Sequence, residues 1–408
     1  MIRKCIQAIG ALLFFILIAG IGIGTVWMPT TTTFEKRSLA AMPKRPLRLD
    51  EMSAWPKAWE SWWSDAGYQR QAFISWHNRL RAAAGISPQT NVVVGKDGWL
   101  FFSGAEVLTD YRNAKLYRPD EIERWQRYLR HRDQDAKSKG AVYYLVIPPN
   151  KHTVYAEYLP DYIRPLTPIS RLDQIIAAMQ GSGVRIIDLR PALLEAKQYR
   201  QAYHKGDTHW NLWGANYAQY EILRSLQQDF SLIKPTLYSS EQFIDADMKA
   251  FNDADMRYYY GLYYMFGAAD RLSELQPLLT ALDRRCVKDA PLALEPWKHV
   301  EKKVRNRVFV ASQCDQGHYR ALIFRDSFAE LLKPFLSSAF SYAAYIRVNR
   351  PMTLHYWNYF MDEVQPDIVL DEMIARHLRY VPKPGTDYPA AEGEAIDASS
   401  DEAYYEFD

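Results

Sequence analysis

The sequence predicts an α/β fold, a central parallel sheet covered by helices on both faces, with an N-terminal transmembrane anchor. Three observations carry this expectation. From about residue 119 to residue 370, short β-type apolar runs alternate with helical periodicities, the pattern of parallel strands joined by crossover helices. Cys5–Met28 is a mostly apolar run of 24 residues, and no Asp, Glu, Lys or Arg lies between Lys4 and Glu35, which is enough to span a bilayer. Over 408 residues, 48% hydrophobic and 24% charged side chains supply a large core and exclude extensive disorder, collagen-like repeats and a disulfide-dense scaffold.

The apolar run exceeds a signal-peptide core, usually about 7–15 residues, and no small-x-small cleavage site follows it, so it reads as an uncleaved signal anchor. Arg3 and Lys4 before it are balanced by Lys36 and Arg37 after it, leaving the orientation to the long C-terminal part. In a bacterium that part is periplasmic. The expected division is anchor and stalk over 1–33, one domain over 34–383, and an acidic, disordered tail over 384–408.

The elements follow in order. A Trp-rich helical region covers Trp55–Ala84. NVVVGKDGWLFFSG (91–104) reads as a hairpin turning at Lys96-Asp97-Gly98; it lacks Walker spacing and is no P-loop. Pro119-Asp120 opens a helix with Ile122, Trp125 and Leu129 on one face, and Gly140 stops it. AVYYLVI (141–147) is a buried-type strand ended by Pro148-Pro149. A helix from about Ile169 to Gln180 leads to the strand VRIID (184–188), and another runs from Trp210 to about Gln228. Residues 231–300, with the aromatic RYYYGLYYMFG (257–267), have no clear pattern. The α/β alternation resumes with VFVA (308–311), ALIF (321–324), a helix from Ser327, SYAAYIRV (341–348) and DIVL (367–370).

Eight acidic side chains and no lysine or arginine follow Lys383, so residues 1–383 carry 50 basic against 40 acidic groups. A basic body suits an anionic partner, though a mildly basic surface with a solvated tail explains the same numbers. Cys286 and Cys314 could pair in an oxidising compartment.

Open parallel sheets present ligands at the carboxyl ends of their strands, and three strand ends here carry reactive residues. In Phe324-Arg325-Asp326-Ser327-Phe328 an apolar strand runs into a serine at a helix start, a place for a nucleophile as well as for an ordinary N-cap. In Gly206-Asp207-Thr208-His209-Trp210 the carboxylate can orient the imidazole as a base; a hydrogen-bonded turn, or a metal site using His204, Asp207 and His209, are the other readings. In Ile147-Pro148-Pro149-Asn150-Lys151-His152-Thr153-Val154-Tyr155, Asn150 or Lys151 could donate to an oxyanion or hold an acidic sugar. His152 is a competing base without an adjacent carboxylate.

Together these segments resemble the periplasmic alginate O-acetyltransferase family of the AlgJ and AlgX type. Phe34–Ala40 is similar to its E-x-R-x-L-A pattern, and Asp65 through Arg70, VVVGKDGWLFF, IPPNK, GDTHWN and RDSF follow in the family's order. The resemblance covers about residues 34–380. It implies an SGNH-hydrolase-like three-layer α/β/α fold in permuted motif order, with Ser327 as nucleophile, His209 as general base and Asp207 as its orienting acid. Asn150, Lys151, Tyr155 and Arg325 are candidates for oxyanion or substrate binding. The implied activity is periplasmic transfer of acetyl groups to an alginate-like exopolysaccharide, with a membrane-bound O-acyltransferase as donor partner and no cofactor, metal or nucleic acid. AlgX-type members add a C-terminal carbohydrate-binding module; about 28 residues follow Tyr380 here, so the layout resembles the AlgJ type. An acetylesterase with the same triad and a non-catalytic polysaccharide-binding scaffold are the alternatives. The Tyr-rich stretch 257–267 could stack on sugars, dock on a membrane partner or pack in a core.

Overall fold

A computed structural model of the chain describes residues 2–31, 39–46, 48, 51–83, 86–87, 90–104, 106–247, 275–279, 286–295, 308–348 and 351–391. The Tyr-rich stretch 257–267 and residues 392–408 lie outside them. The chain divides into two units, one of residues 1–94 and 253–272, the other of 95–252 and 273–408.

In the first unit α1 (Ile2–Trp27) carries the apolar run; α2 (Trp55–Ala66) and α3 (Arg70–Ala83) follow. The single helical region expected over 55–84 is thus two helices. They are separated at Gly67 and at Gln69, whose φ of 57° lies in the left-handed region. Strands form at β1 (Val92–Val94) and, in the second unit, β2 (Leu100–Phe102), either side of the Lys96–Gly98 turn.

The second unit continues with α4 (Val107–Tyr111), α5 (Pro119–Ser138), β3 (Val142–Ile147), α6 (Lys151–Val154), α7 (Arg171–Met179), β4 (Arg185–Asp188), α8 (Arg190–Tyr199), α9 (Leu212–Gln227), β5 (Phe243–Asp247) and β6 (Leu275–Leu279). Then come β7 (Val287–Asp289), β8 (Phe309–Cys314), β9 (Arg320–Arg325), β10 (Tyr342–Arg347), a helix Leu354–Val364 and β11 (Ile368–Glu372). Proline opens α5, Glu121 closes its capping box, and Gly140, at φ 80°, leaves it in the left-handed conformation. Ser170 and Asp173 form the capping box of α7.

Among the described residues, seven strands make one sheet in the order β4-β3-β11-β9-β10-β8-β7. The first five are parallel, with Leu145 opposite Ile186, Leu370 opposite Tyr144 and Ile323, and Ile346 opposite Phe324. VFVA, expected to continue the parallel pattern, runs antiparallel to β10, and β7 antiparallel to it. Only Asp315–Tyr319 separates β8 from β9, too few residues for a crossover, so the chain direction reverses. Within the segment that had no clear pattern, β5 and β6 pair as a separate antiparallel ribbon.

The strands bury both faces. Tyr143, Leu145, Ile147, Leu322, Phe324 and Val369 join one core with Trp125 and Leu129 of α5, Ile175 of α7, and Trp357 and Phe360. The alternate residues, among them Val146, Ala321, Ile323 and Tyr345, are equally buried on the other face. The acidic tail does not leave the fold at 384. Asp387 and Tyr388 are buried, the Arg132 guanidinium donates to the Asp387 carbonyl at 2.8 Å, and Leu354 N–H donates to the Thr386 carbonyl. A buried guanidinium needs acceptors, and this segment supplies one.

Candidate active site

The parallel strands end together: Asn150, Ser327 and Arg376 follow β3, β9 and β11, whereas Asp207 and His209, expected at a strand end, lie in the loop between α8 and α9. β9 delivers Asp326 and Ser327. Ser327 is half-buried, with φ −73° and ψ −18°, and the helix expected after it is a four-residue 3-10 turn, Phe328–Leu331. Pro334 lies at the start of the next short helix, Lys333–Leu336; a proline has no N–H to continue the preceding turn.

Asp207 and His209 sit in a loop closed by a bridge between Tyr203 and Trp210, with His204 N–H donating to the His209 carbonyl. Asn211 caps α9 by accepting from Gly214 N–H at 3.1 Å. Any Cβ at Gly214 would come within 2.3 Å of the Ala202 carbonyl oxygen, so this close approach of loop and helix requires glycine. Trp210 Nε1 donates to the Phe328 carbonyl at 3.0 Å and joins the loop to the serine turn.

These constraints bring three side chains into line. His209 Nε2 lies 2.8 Å from Ser327 Oγ, across 118 residues of sequence. His209 Nδ1 is bonded to Asp207 Oδ1, which also accepts from the His209 N–H at 2.9 Å. Burial pushes the Asp207 carboxyl up, but the adjacent His209 and its hydrogen bonds, with His204 nearby, outweigh it and hold the carboxyl well below the usual range. Asp207 is therefore a buried anion whose bond to Nδ1 leaves Nε2 to face the serine.

The neighbouring Asp326 performs structural work. Its carboxylate accepts from Phe328 N–H and Ile374 N–H, both at 2.8 Å, and faces His377. Burial opposes its charge, but His377 and these N–H groups hold the carboxyl below its ordinary value. Burial and the Asp326 charge push the adjacent Glu372 up.

The other predicted residues take different places. His152 is buried against Phe101 and Tyr111; burial, then Lys151 and Arg376, push its pKa down to about 3. It is no rival to His209. The ring nitrogens of His209 face Asp207 and Ser327, and no group of three or more potential metal ligands is gathered among the described residues. Lys151 does not reach toward a substrate. Its buried ammonium donates to the carbonyls of His204 (2.9 Å), Lys205 (2.9 Å) and Asp207 (2.8 Å). Tyr155 is packed on Trp99, and its hydroxyl accepts from Ala202 N–H at 2.7 Å, bracing the same loop. Arg325 is 0% exposed, paired with Glu330 and bonded to the Asp326 carbonyl, so it ties strand to turn rather than lining a cleft.

Asn150 donates to Asp110 at 3.1 Å and accepts from Arg376 at 3.3 Å. It also lines a cavity of about 170 Å³ with Asp110, Thr153, Arg171 and Arg190. Arg376 was not foreseen. Its guanidinium carbon stands 5.5 Å from the centroid of the Phe328 ring, which packs on His209, and it interacts electrostatically with Asp326 and Asp207. The signal was available: Arg376 and His377 follow DIVLDE, a fourth strand running to the same edge of the sheet.

Residues 92–250 match a family model described as "SGNH hydrolase-like domain, acetyltransferase AlgX". The segment contains Asp207 and His209; Ser327 lies beyond it. The chain is 29% identical over 154 residues to the "Probable alginate O-acetylase AlgJ" of Pseudomonas syringae pv. tomato, an alignment covering 38% of this chain and 37% of that protein. The chain thus spans little more than a third of the length of that curated relative. Among solved structures, Bacillus cereus PatB1 with a sulfonyl adduct is 16% identical over 70% of this chain and 94% of its own, with a TM-score of 0.46. The O-acetyltransferase domain of Pseudomonas putida AlgJ is 19% identical over 71% and 92%, with a TM-score of 0.41. Pseudomonas aeruginosa AlgX is 16% identical over 69% and 61%, with a TM-score of 0.40. Over residues 92–250, this chain is similar to the SGNH hydrolase-like domain of acetyltransferase AlgX.

Proposed function

We propose that the protein is an anchored O-acetyltransferase that places acetyl groups on hydroxyls of an exopolysaccharide through an acetyl-Ser327 intermediate. The observation that carries this reading is the hydrogen-bonded series Asp207, His209, Ser327. In the first step His209 Nε2 takes the Ser327 proton while Oγ bonds to the acetyl carbonyl carbon. The tetrahedral oxyanion collapses, the donor's C–O bond breaks, and the leaving oxygen takes the proton from His209. A sugar hydroxyl then gives its proton to His209 and attacks the acetyl-serine. Collapse expels Ser327 Oγ, which recovers the proton. The Ser327 N–H and the Asn150–Arg376 pair are the proposed sources of oxyanion stabilisation.

The family model's acetyltransferase description and the relative's name support acetyl transfer to a polysaccharide of alginate type. The helix segment Ile9–Trp27, with mean hydropathy 2.5, supports a single-pass anchor in the bacterial inner membrane. The Cys286–Cys314 disulfide suits an oxidising periplasm. A membrane-bound O-acyltransferase is the proposed acetyl source, as the family resemblance suggests.

The test is incubation of the full chain, in detergent, with an acetyl-ester surrogate and oligosaccharide acceptors. Acetylated oligosaccharide, detected by mass and lost in Ser327→Ala with the melting temperature unchanged, is the expected result. Serine-dependent release of acetate alone, with every acceptor left unmodified, favours an esterase. Turnover retained in Ser327→Ala overturns the mechanism.

A further inference from the structure

Helix α3 is amphipathic in the wrong sense for a helix bathed in water. At helical spacing Phe73, Trp76 and Leu80 share one face and Ser75 and Asn78 lie on the other. The structure buries Ser75 and Asn78 while Phe73 is 52%, Trp76 64% and Leu80 62% exposed. The helix sequence, RQAFISWHNRLRAA, contains three arginines and no acidic residue.

The start of this helix is fastened to the end of α1. Tyr68 N–H donates to Thr25 Oγ1 at 2.9 Å, and Thr30 donates through its N–H to the Ala66 carbonyl (2.9 Å) and through its hydroxyl to the Gly67 carbonyl (2.7 Å). The contact is close: a Cβ at Gly24 would fall 2.5 Å from the Tyr68 ring, and one at Gly22 would lie 4.0 Å from Trp63. Both glycines belong to the apolar segment Ile9–Trp27. At 1.5 Å per residue, Gly22 is about 7.5 Å short of Trp27 along the axis. With α1 taken as a membrane anchor, this places Trp63 and Tyr68 near the depth where amphipathic aromatic rings concentrate in bilayers.

We propose that α3 lies in the membrane interface beside the anchor, with Phe73, Trp76 and Leu80 inserted at the boundary between lipid headgroups and acyl chains. Exposed Arg81 meets anionic headgroups. The occupant of this face is lipid. The inference rests on the reading of α1 as a membrane anchor. It adds a second attachment, which holds the first unit against the bilayer instead of leaving it on a free stalk.

The test uses the full chain in vesicles of phosphatidylcholine and phosphatidylglycerol, with Cys5→Ser as background. Single cysteines at Leu13→Cys, Trp76→Cys, Leu80→Cys and Glu60→Cys carry an environment-sensitive fluorophore. Quenchers are nitroxide lipids with shallow or deep labels, and aqueous iodide. The expected result is deep-nitroxide quenching at 13, several-fold stronger shallow-nitroxide than iodide quenching at 76 and 80, and iodide quenching at 60. A quenched probe at 13 with 76 and 80 as iodide-accessible as 60 overturns the proposal and leaves the anchor standing. Probes at 76 and 80 shielded from both lipid and iodide also overturn it, since a protein then covers the face. A probe at 13 that no lipid nitroxide quenches refutes the anchor, and the proposal with it.

Discussion

Replacing Lys151 with methionine separates a loop brace from a substrate-binding cation. Methionine keeps most of the side-chain stem, which lies with its ammonium 5.2 Å from the Trp99 ring centroid and 5.0 Å from that of Phe101. It removes the donors to three carbonyls, those of His204, Lys205 and Asp207. Hydrogen bonds to charged groups contribute about 1.5–3 kcal/mol each. The substitution also abolishes the cost of burying an ammonium, several kcal/mol, so the net loss is well below the sum, about 3 kcal/mol. For a chain of this size that lowers the melting temperature by roughly 3–5 °C. The same carbonyls belong to the loop that holds Asp207 and His209. A displacement near 1 Å at a reacting group costs on the order of 10²-fold in rate. Ester-surrogate kinetics and a thermal melt of Lys151→Met should therefore show kcat down about 10²-fold and stability reduced. KM should change equally for neutral and acidic acceptors. A rise in KM for acidic oligosaccharides alone, with kcat and melting temperature intact, would refute the brace and restore Lys151 as a substrate ligand.

Three further outcomes follow from the same geometry. Burial raises the Asp110 carboxyl to about 6 against the opposing charges of Arg171 and Arg376, so the folded state binds more protons than the unfolded state between pH 3.8 and 6. Its contribution to stability is greatest below pH 3.8, falls as pH rises to about 6 and is level above; Asp110→Asn should remove up to about 3 kcal/mol of that dependence, and an unchanged stability-versus-pH curve would contradict it. Replacing Cys286 and Cys314 by serine opens a link between positions 28 residues apart and should cost about 3.6 kcal/mol in denaturant unfolding; a variant as stable as the parent would deny the link a stabilising role. Arg376→Met should lower kcat for ester turnover by about 10²-fold without reducing the melting temperature, and an unaffected rate would remove Arg376 from the oxyanion site.

The sequence by itself determined the local elements. Prolines, glycines and capping residues are short-range signals, so the helix from Pro119, the strands at 142–147 and 320–325, and the apolar α1 were legible before any packing was known. The chemical types of Asp207, His209 and Ser327 were legible too, because they stand in compact motifs at strand and loop ends. Their meeting was decided only by the tertiary structure: a 2.8 Å contact across 118 residues depends on the order of strands in the sheet and on a loop braced by Lys151, Tyr155 and Trp210. Tertiary packing also decided which charged residues face inward. Lys151 and Arg325 look like surface cations in a linear reading, but carbonyls and a carboxylate from elsewhere in the chain take up their donors. Arg376, unremarked in the sequence, stands beside the serine turn because β11 ends next to β9. Secondary structure is encoded over a few neighbours, whereas the partner that makes a charge structural or chemical is supplied by residues the chain meets only on folding.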